Sequence, residues 1–269
     1  MAKRVEGKAA IVVGGGQTPG QTIGNGRAVA VVLVLAREGA RVLVVDRLKA
    51  SAQDTVDMIH AEGGEAWAHE ADTTDEDAVR RLVAAAHERF GRLDILHNNV
   101  GASLALGDAT ATELTVEAFD RSVAVNLKGM WLACKHALPA LRESSGSIVN
   151  ISSMAARNAY PLVGYKTTKA AVVALTENLA AANAQYGVRA NAILPGLMNT
   201  PMAIEARVAK GTPRDEVIAS RDRRVPLRRR MGTGWDVAYA ALYLHSDEAG
   251  FVTGVSLAVD GGEGVSWGS

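Results

Sequence analysis

The sequence predicts an α/β fold: a doubly wound parallel sheet of about seven strands, with helices on both faces. Two observations predict it. Short apolar runs rich in β-branched residues alternate with longer stretches of helical periodicity, and such alternation implies parallel strands connected by helices. A glycine-rich turn also separates the first apolar run from the helical stretch after it, as in the first β-α unit of such a sheet.

The candidate strands are short and mostly apolar, as expected for strands that are buried on both faces. They are Ala9–Val13, Arg41–Asp46, Ala66–Ala71, Ile95–Asn98, Ser147–Ile151, Arg189–Leu194 and Ser256–Val259.

The candidate helices fill the intervals between these strands. The first follows the glycine-rich turn, at about Arg27–Glu38. A second, Asp77–Phe90, has apolar residues at helical spacing, with Gly91 as a natural stop and Thr74 and Asp77 as a candidate capping box. The stretches Glu117–Arg142 and Gly164–Gln185 are long and rich in alanine. Residues 200–234 are polar and rich in arginine, and interrupt the alternation. With no linker or repeat, residues 1–269 are predicted to be one domain with an insertion at about 200–234.

Composition excludes several classes of function. The 269 residues include 29 basic and 29 acidic side chains, so net charge gives no reason to expect binding to nucleic acid or a membrane. No apolar run approaches the length of a membrane span, and the N-terminus leaves no room for a signal peptide. The only cysteine, Cys134, excludes an intramolecular disulfide. We therefore expect a cytoplasmic protein, and we predict no metal site.

The glycine-rich turn has the spacing of a dinucleotide-binding Rossmann fold. Glycines allow a tight turn and a close approach of the backbone to a pyrophosphate, while the start of the next helix offers unpaired N–H groups to the phosphates. The glycines of the turn are spread over residues 14–26, a longer stretch than the six-residue G-x-G-x-x-G fingerprint occupies. Which of its glycines contacts phosphate therefore stays open, with Gly14 and Gly20 as alternatives for the first position. The candidate residues are Gly14, Gly20, Gly24, Asn25 and Gly26.

The end of the second strand indicates which nicotinamide cofactor is bound. Asp46 lies twenty residues after Gly26, where a carboxylate accepts hydrogen bonds from an adenosine ribose and repels a 2′-phosphate. The prediction is NAD. The alternative is NADP, because the neighbouring Arg47 could bind that phosphate.

Polar residues also follow the third and fourth strands. Asp72 and Thr73 come after one, and Asn98, Asn99 and Gly101 lie at the end of the other. Ligands of open parallel sheets bind at the carboxyl ends of the strands, so all five are candidate cofactor-binding residues. A role in starting the next helix is the alternative for Asp72.

Three residues could carry proton transfer. Tyr165 and Lys169 have an i, i+4 spacing on a predicted helix, which places both side chains on one face. A positive charge beside a phenol favours the phenolate. With Ser153 at the end of the fifth strand, such a tyrosine could exchange a proton with an alcohol or a carbonyl.

Taken together, these features resemble the short-chain dehydrogenase/reductase family over nearly the whole chain. The resemblance rests on an ordered set of motifs: the glycine-rich turn, Asp46, Asp72, Asn98-Asn99-Val100-Gly101, Asn126, Ser153, Tyr165-x-x-x-Lys169 and Pro195-Gly196.

The resemblance implies roles for the catalytic residues. Tyr165 would be the acid/base residue, and Lys169 would favour its ionised form and hydrogen-bond the nicotinamide ribose. Ser153 would hold the substrate oxygen, with Ser152 as the neighbouring candidate. Asn126 would order a water that relays protons through Lys169.

The resemblance also implies contacts with the cofactor. Asp72 would contact the adenine, and Asn98 would lie on the adenosine side of the pocket. The carboxamide would be held by backbone around Pro195, Gly196 and Leu197 and by the Thr200 hydroxyl.

In this family the segment corresponding to 200–234 closes over the substrate. Met154, Tyr160 and Leu197 are candidate pocket walls, since small-ligand pockets are mostly apolar. Two interpretations of the basic residues in the segment stay open: an arginine clamp for an anionic substrate, or a solvated surface that pairs with local acids or a neighbouring subunit. The basic residues are Arg207, Lys210, Arg214, Arg221, Arg223, Arg224, Arg228, Arg229 and Arg230.

The predicted function is an NAD-dependent oxidoreductase that transfers a hydride between a secondary alcohol or ketone and the nicotinamide. The alternatives are an NADP-preferring carbonyl reductase and a nicotinamide-binding protein without catalysis. Because family members pair two long helices between subunits, a homotetramer is expected, through Glu117–Arg142 and Gly164–Gln185.

Overall fold

The predicted doubly wound parallel sheet is confirmed. The computed structural model describes residues 3–17, 27–209 and 211–265, with the backbone alone at 27–29. Within these ranges seven parallel strands lie in the order β3-β2-β1-β4-β5-β6-β7. The strands are β1 Ala9–Val13, β2 Arg41–Asp46, β3 Glu65–Glu70, β4 Ile95–Asn98, β5 Ser147–Ile151, β6 Arg189–Pro195 and β7 Ser256–Val259. Only β3 and β6 differ from their predicted limits: β3 begins and ends one residue earlier, and β6 ends one residue later.

Helices cover both faces of this sheet. The two faces follow from the alternation of side chains along each strand: Val12 packs into one core, and its neighbours Ile11 and Val13 pack into the other. The first core includes α1, α2 and α9, and the second includes α3, α5 and α6. The helices are α1 Arg27–Arg37, α2 Lys49–Ala61, α3 Glu76–Phe90, α4 Val116–Val123, α5 Gly129–Ser144, α6 Val163–Asn183, α7 Pro201–Val208, α8 Arg214–Asp222 and α9 Gly234–His245.

The start of α3 differs from the predicted capping box. Asp75 is the cap, and its side chain accepts a hydrogen bond from the Asp77 amide at 2.9 Å. The Thr74 hydroxyl instead donates to Asp72 at 2.7 Å, so it is not available to cap the helix. Gly91 ends α3 in the left-handed conformation, with φ of 71°, as predicted.

The single long helix predicted over Glu117–Arg142 is interrupted. α4 ends at Val123, one π-helical turn spans Ala124–Lys128, and α5 follows directly. The alanine-rich pattern does not reveal this turn, which contains Asn126, a residue whose side chain makes tertiary contacts with Ala102. π-helical turns of this kind frequently occur at functional sites.

The segment after β6 folds into two short helices with a small core of its own. Ile204 of α7 and Val217 of α8 pack with Val225 and Met231. Backbone hydrogen bonds close the base of the segment: the Gly232 amide donates to the Leu197 carbonyl, and the Asn199 amide donates to the Gly232 carbonyl. The segment is therefore tied to the carboxyl end of β6, and this places it beside the ends of the central strands.

Among the helices in the described residues, none has the length and apolar character required to cross a membrane.

Candidate active site

A continuous cleft follows the carboxyl ends of the strands. It consists of two cavities, of about 500 Å³ and about 570 Å³, which share Ala105, Thr200 and Met202 in their walls. The strand-end cavity is bordered by residues at the ends of β1, β2 and β4 and just after β3, including Gly14, Asp46, Asp72 and Gly101. The lid cavity is bordered by residues after β5 and β6 and on α6, α7 and α8, including Ser153, Tyr165, Leu197 and Arg221.

Within the described part of the glycine-rich turn, Gly14 borders the strand-end cavity. Its φ is +77°, and an added Cβ would lie 2.9 Å from the Val100 side chain, so only glycine fits without strain. Its amide donates to the Val45 carbonyl at 2.8 Å, which holds the turn against β2. The other predicted phosphate-contacting residues, Gly20, Gly24, Asn25 and Gly26, lie outside the described residues.

Asp46 and Arg47 both border the strand-end cavity at the end of β2. The two carboxylate oxygens of Asp46 accept hydrogen bonds from backbone amides, one from Leu48 at 3.1 Å and one from Gly16 at 3.2 Å. These bonds fix the carboxylate at the cavity wall. Each oxygen retains a lone pair that can accept a further hydrogen bond. The Arg47 side chain is exposed.

Asp72 borders the strand-end cavity but does not cap α3, whose cap is Asp75. Asp72 accepts hydrogen bonds from the Thr74 amide and hydroxyl, at 2.8 and 2.7 Å, and it lies next to Thr73 in the cavity wall. The hydrogen bonds from Thr74 hold the pKa of the Asp72 carboxyl below its usual value, and the charge of Arg47 adds to this effect. Asp72 is therefore a fixed anion at the cavity wall.

The structure separates the two asparagines at the end of β4. Asn99 borders the strand-end cavity, and its Oδ1 atom is buried without a hydrogen-bond donor among the described residues. Asn98 differs from the prediction, because its side chain is buried inside the protein and does not border either cavity. Its Nδ2 atom donates to Asn150 at 2.9 Å and to the Cys134 sulfur at 3.3 Å, so the side chain joins strands and α5.

Lys169 and Tyr165 lie side by side on α6. The Lys169 Nζ atom is 5.7 Å from the centre of the Tyr165 ring and donates to the Ile151 carbonyl at 2.7 Å. Gly101 leaves room for this ammonium, because a Cβ there would approach Nζ to 2.7 Å. Lys169 is almost completely buried, while Tyr165 borders the lid cavity. The tyrosine thus faces the ligand space with a buried positive charge behind it.

The two serines after β5 have different environments. Ser152 is fully buried, and its hydroxyl donates to the Lys169 carbonyl at 2.6 Å. Ser153 borders the lid cavity together with Tyr165, and its hydroxyl accepts from the Ala155 amide at 3.2 Å. Ser153 is therefore the serine that a molecule in the cavity would meet.

Asn126 lies in the π-helical turn and is fully buried. Its Oδ1 atom accepts from the Ala102 amide at 2.8 Å, and its Nδ2 atom donates to the Ala102 carbonyl at 2.9 Å and to the Thr168 hydroxyl at 3.2 Å. This pairing ties the loop after β4, which contains Gly101, to α6.

The remaining predicted residues surround the lid cavity. Its walls include the end of β6 and the segment after it, with Pro195, Gly196, Leu197 and Thr200. They also include the three predicted pocket residues, which are Met154, Tyr160 and the same Leu197. The Tyr160 ring lies 5.8 Å from the Tyr165 ring.

One functional residue was not found from the sequence. Asp108 is buried, and its carboxylate accepts from the Gly164 amide at 2.8 Å and the Tyr165 amide at 2.9 Å. It caps the helix that carries Tyr165 and Lys169, although it lies 56 residues before Gly164. No local pattern indicates this contact, which depends on the fold.

The cleft suits a nicotinamide dinucleotide in several respects. A glycine permits close approach of backbone at one end, fixed carboxylates lie at the end of β2 and just after β3, and Asn99 has a buried oxygen without a donor in the described part of the chain. At the other end, a phenol and a hydroxyl face one cavity with an ammonium nearby. A hydroxyl or carbonyl compound placed there could exchange a proton with Tyr165.

Comparison with known proteins agrees with this geometry. Residues 22–263 match the family model described as enoyl-(acyl carrier protein) reductase. The chain is 38% identical over 248 residues to 2-(R)-hydroxypropyl-CoM dehydrogenase of Xanthobacter autotrophicus, and the aligned region covers 90% of this chain and 95% of that protein. It is 36% identical over 266 residues to 2,5-dichloro-2,5-cyclohexadiene-1,4-diol dehydrogenase of Sphingobium indicum, and the aligned region covers 97% of this chain and 98% of that protein.

A solved structure extends the comparison to three dimensions. The crystal structure of a short-chain dehydrogenase/reductase from Burkholderia xenovorans superposes with a TM-score of 0.91 at 37% sequence identity, and covers 99% of this chain and 100% of that one. Because sequence and fold match over nearly the full length, the chain belongs to the short-chain dehydrogenase/reductase family, a family of oxidoreductases that use a nicotinamide cofactor.

Proposed function

We propose that the protein is an NAD-dependent dehydrogenase that transfers a hydride between a secondary alcohol, or the corresponding ketone, and the nicotinamide. The observation that carries this proposal is the position of Ser153 and Tyr165 on the wall of one cavity, with the Lys169 ammonium 5.7 Å from the Tyr165 ring. The relatives that are named as dehydrogenases of a hydroxypropyl compound and of a cyclic diol support an alcohol as substrate.

Each side chain of the lid cavity would have a separate role in the reaction. Ser153 would hold the substrate oxygen by a hydrogen bond, and Tyr165 would take the hydroxyl proton during oxidation and return it during reduction. The Lys169 ammonium, 5.7 Å from the centre of the Tyr165 ring, would hydrogen-bond the nicotinamide ribose. When bound, the nicotinamide accepts or supplies the hydride. Backbone at Pro195, Gly196 and Leu197, with the Thr200 hydroxyl, would hold its carboxamide.

Replacement of Tyr165 tests the proposed acid/base role. In Tyr165→Phe the phenolic oxygen is absent, so we expect alcohol oxidation to fall by at least roughly 100-fold while NADH binding is retained. Initial rates of nicotinamide reduction and the fluorescence of bound NADH measure the two properties. Tyr160→Phe is the matched control, because its ring also borders the lid cavity and lies 5.8 Å from the Tyr165 ring. Similar activity in the two variants would refute the role of Tyr165.

The preference for NAD follows from Asp46. Its carboxylate is fixed by the Gly16 and Leu48 amides at the wall of the strand-end cavity, where it would accept hydrogen bonds from a ribose and repel a 2′-phosphate. Arg47 offers the competing possibility of NADP. We expect Asp46→Ala to reduce the ratio of kcat/KM for NAD to that for NADP by roughly 10-fold or more. The substitution removes both the hydrogen bonds to the ribose and the repulsion of a 2′-phosphate.

Steady-state kinetics with both cofactors measures this ratio. Arg47→Ala serves as the comparison, because Arg47 borders the same cavity with the opposite charge. The proposal fails if the wild-type protein prefers NADP and loses this preference in Arg47→Ala.

We also propose that residues 200–234 close over the substrate and that the protein is a homotetramer. α7 and α8 supply much of the lid cavity wall, which supports the first proposal. Large apolar side chains are exposed on the outer helices, which supports the second: Val116 and Phe119 on α4 and Trp131 on α5. Packing of these helices between subunits would cover them.

A further inference from the structure

Three arginines of the segment 200–234 border the lid cavity. Arg207 lies on α7, Arg221 lies on α8 and Arg224 follows α8. The other described arginines of the segment do not border the cavity. Arg214 forms an ion pair with Glu205, and the exposed arginines of the segment include Arg223, Arg228, Arg229 and Arg230. The cationic groups at the cavity are therefore a specific subset of a basic segment.

Arg221 is unusual because it is buried and, among the described residues, forms no ion pair, although the Glu263 carboxylate interacts with it electrostatically. Only 8% of Arg221 is exposed, and its Nε atom donates to the Met231 sulfur at 3.2 Å. Buried arginines are normally paired with an anion, since an uncompensated charge is costly to remove from water. Burial, and then the charges of Arg207 and Arg224, lower the pKa of Arg221 to about 10.

The acidic residues near this cluster do not balance it. Glu205 is engaged by Arg214, and the Oε1 atom of Glu263 lies 3.4 Å from a guanidinium nitrogen of Arg224. Arg207 donates to the Ala203 carbonyl and has no ion pair within the described residues. The cavity wall thus contains an excess of positive charge at Arg207 and Arg221.

We propose that the substrate carries an anionic group, a carboxylate, sulfonate or phosphate, that binds Arg221 and Arg207 while its secondary hydroxyl faces Ser153 and Tyr165. This inference rests on the proposed dehydrogenase function, because it concerns the substrate of the same site. The planar guanidinium binds such anions through two parallel hydrogen bonds, and these are strengthened by charge. Binding of the anion would also place a further negative charge beside the buried Arg221.

The position of Tyr160 indicates how far the anionic group of the substrate lies from its secondary hydroxyl. Its ring lies 5.8 Å from the Tyr165 ring, and it borders the same cavity as the arginines. Arg207 and Tyr160 interact electrostatically, as do Arg221 and Tyr160, so the phenol of Tyr160 is near both guanidinium groups. The anionic group would therefore be separated from the carbinol carbon by a short spacer that passes Tyr160.

The kinetic test compares alcohols that differ only in the charged group. The pairs are 2-butanol with 3-hydroxybutanoate, 2-pentanol with 4-hydroxypentanoate and 2-hexanol with 5-hydroxyhexanoate, which vary the spacer. For at least one spacer we expect kcat/KM to be roughly 10- to 100-fold higher for the anion than for the neutral alcohol. Sulfonate and phosphate analogues at the best spacer identify the preferred anion. Equal kcat/KM values within every pair would overturn the proposal.

Variants assign the effect to the arginines. We expect Arg221→Met and Arg207→Met each to reduce kcat/KM for the anionic member by roughly 10- to 100-fold and to leave the neutral member unchanged or faster. Arg230→Met is the matched control, because it removes an exposed arginine of the same segment. If Arg221→Met does not fold, Arg207→Met gives the same comparison at a half-buried residue. A loss of the same size for both members of a pair would contradict anion recognition.

A binding measurement separates this proposal from the proposed function. Pentanoate, propane-1-sulfonate and propyl phosphate, which cannot be oxidised at a carbinol, are titrated calorimetrically into the protein with and without NADH. Binding that is lost in Arg221→Met or Arg207→Met supports the anion site even if no alcohol is turned over. Oxidation of neutral alcohols without any difference in anion binding between wild type and variants would refute the anion site and leave the dehydrogenase function in place.

Discussion

Asp108 shows how a single distant residue can support the proposed catalytic tyrosine. α6 begins at Val163, and the preceding Leu162 provides no side-chain cap. The Val163 amide donates to the Ala109 carbonyl, and the Asp108 carboxylate accepts from the next two amides, those of Gly164 and Tyr165. A carboxylate at a helix N-terminus also interacts favourably with the partial positive charge there.

We therefore expect Asp108→Ala to lower the free energy of unfolding by about 1–2 kcal/mol, the usual cost of losing a helix cap. It should also lower kcat for alcohol oxidation, because the position of Tyr165 in the first turn would be less well fixed. Asp108→Asn retains an oxygen acceptor, so its free energy of unfolding and its kcat should both fall less. Urea unfolding and steady-state kinetics measure the two effects. Asp54→Ala, at an exposed aspartate on α2, is the control. A folded Asp108→Ala protein with wild-type kcat would contradict this role.

At this scale the sequence reveals contacts within one element better than contacts between elements. The Tyr165–Lys169 pair is visible because both residues lie on one helix face. The choice between Ser152 and Ser153 is not visible from spacing alone. It depends on which hydroxyl donates to the Lys169 carbonyl and which one borders the cavity.

At the scale of the elements, the strands were the most predictable feature. Their limits follow from burial on both faces, which produces continuous apolar runs such as Ala9–Val13. The π-helical turn was not predictable, because Ala124–Lys128 has an ordinary helical composition. In this turn the Asn126 carboxamide pairs with both the amide and the carbonyl of Ala102, on a loop 24 residues earlier, and no local pattern indicates that contact.

The segment 200–234 was only partly predictable. Its position between β6 and α9 and its basic character are evident from the sequence, but not which arginines face the cavity. That selection depends on the small core formed by Ile204, Val217, Val225 and Met231, which sets the orientation of α7 and α8. The fold therefore converts a uniformly basic segment into a cavity wall with a buried guanidinium at Arg221.

At the scale of the whole molecule, the side of the sheet that α9 covers contains a buried polar contact between two histidines. His97 on β4 and His245 at the end of α9 are both fully buried, with 3.3 Å between their ring nitrogens. The Ser147 hydroxyl lies 2.9 Å from the other ring nitrogen of His245. Burial lowers the pKa of His97 to about 3, and burial followed by the charges of His97, Arg189 and Lys8 lowers that of His245 well below its usual value.

These histidines make the stability of the protein depend on pH in a defined direction. In the unfolded chain they take up protons as the pH falls below about 6.5, whereas in the folded protein they remain neutral. The stabilisation is thus fully present above pH 6.5 and is lost as the pH falls toward 3. Each histidine contributes a limiting slope of about 1.4 kcal/mol per pH unit in this window.

Urea unfolding of the wild type and of His97→Gln, at several pH values from about 7.5 down to about 4.5, tests this expectation. Glutamine keeps a hydrogen-bonding group beside His245 but does not titrate, so the variant should be less stable at neutral pH and show a shallower loss of stability with acid. His87→Gln, at an exposed histidine of α3, should keep the wild-type slope. Buried carboxylates add their own acid sensitivity to all three proteins, so the difference between slopes isolates His97. Parallel curves for the wild type and His97→Gln would show that His97 is protonated in the folded protein, contrary to its burial between the sheet and α9.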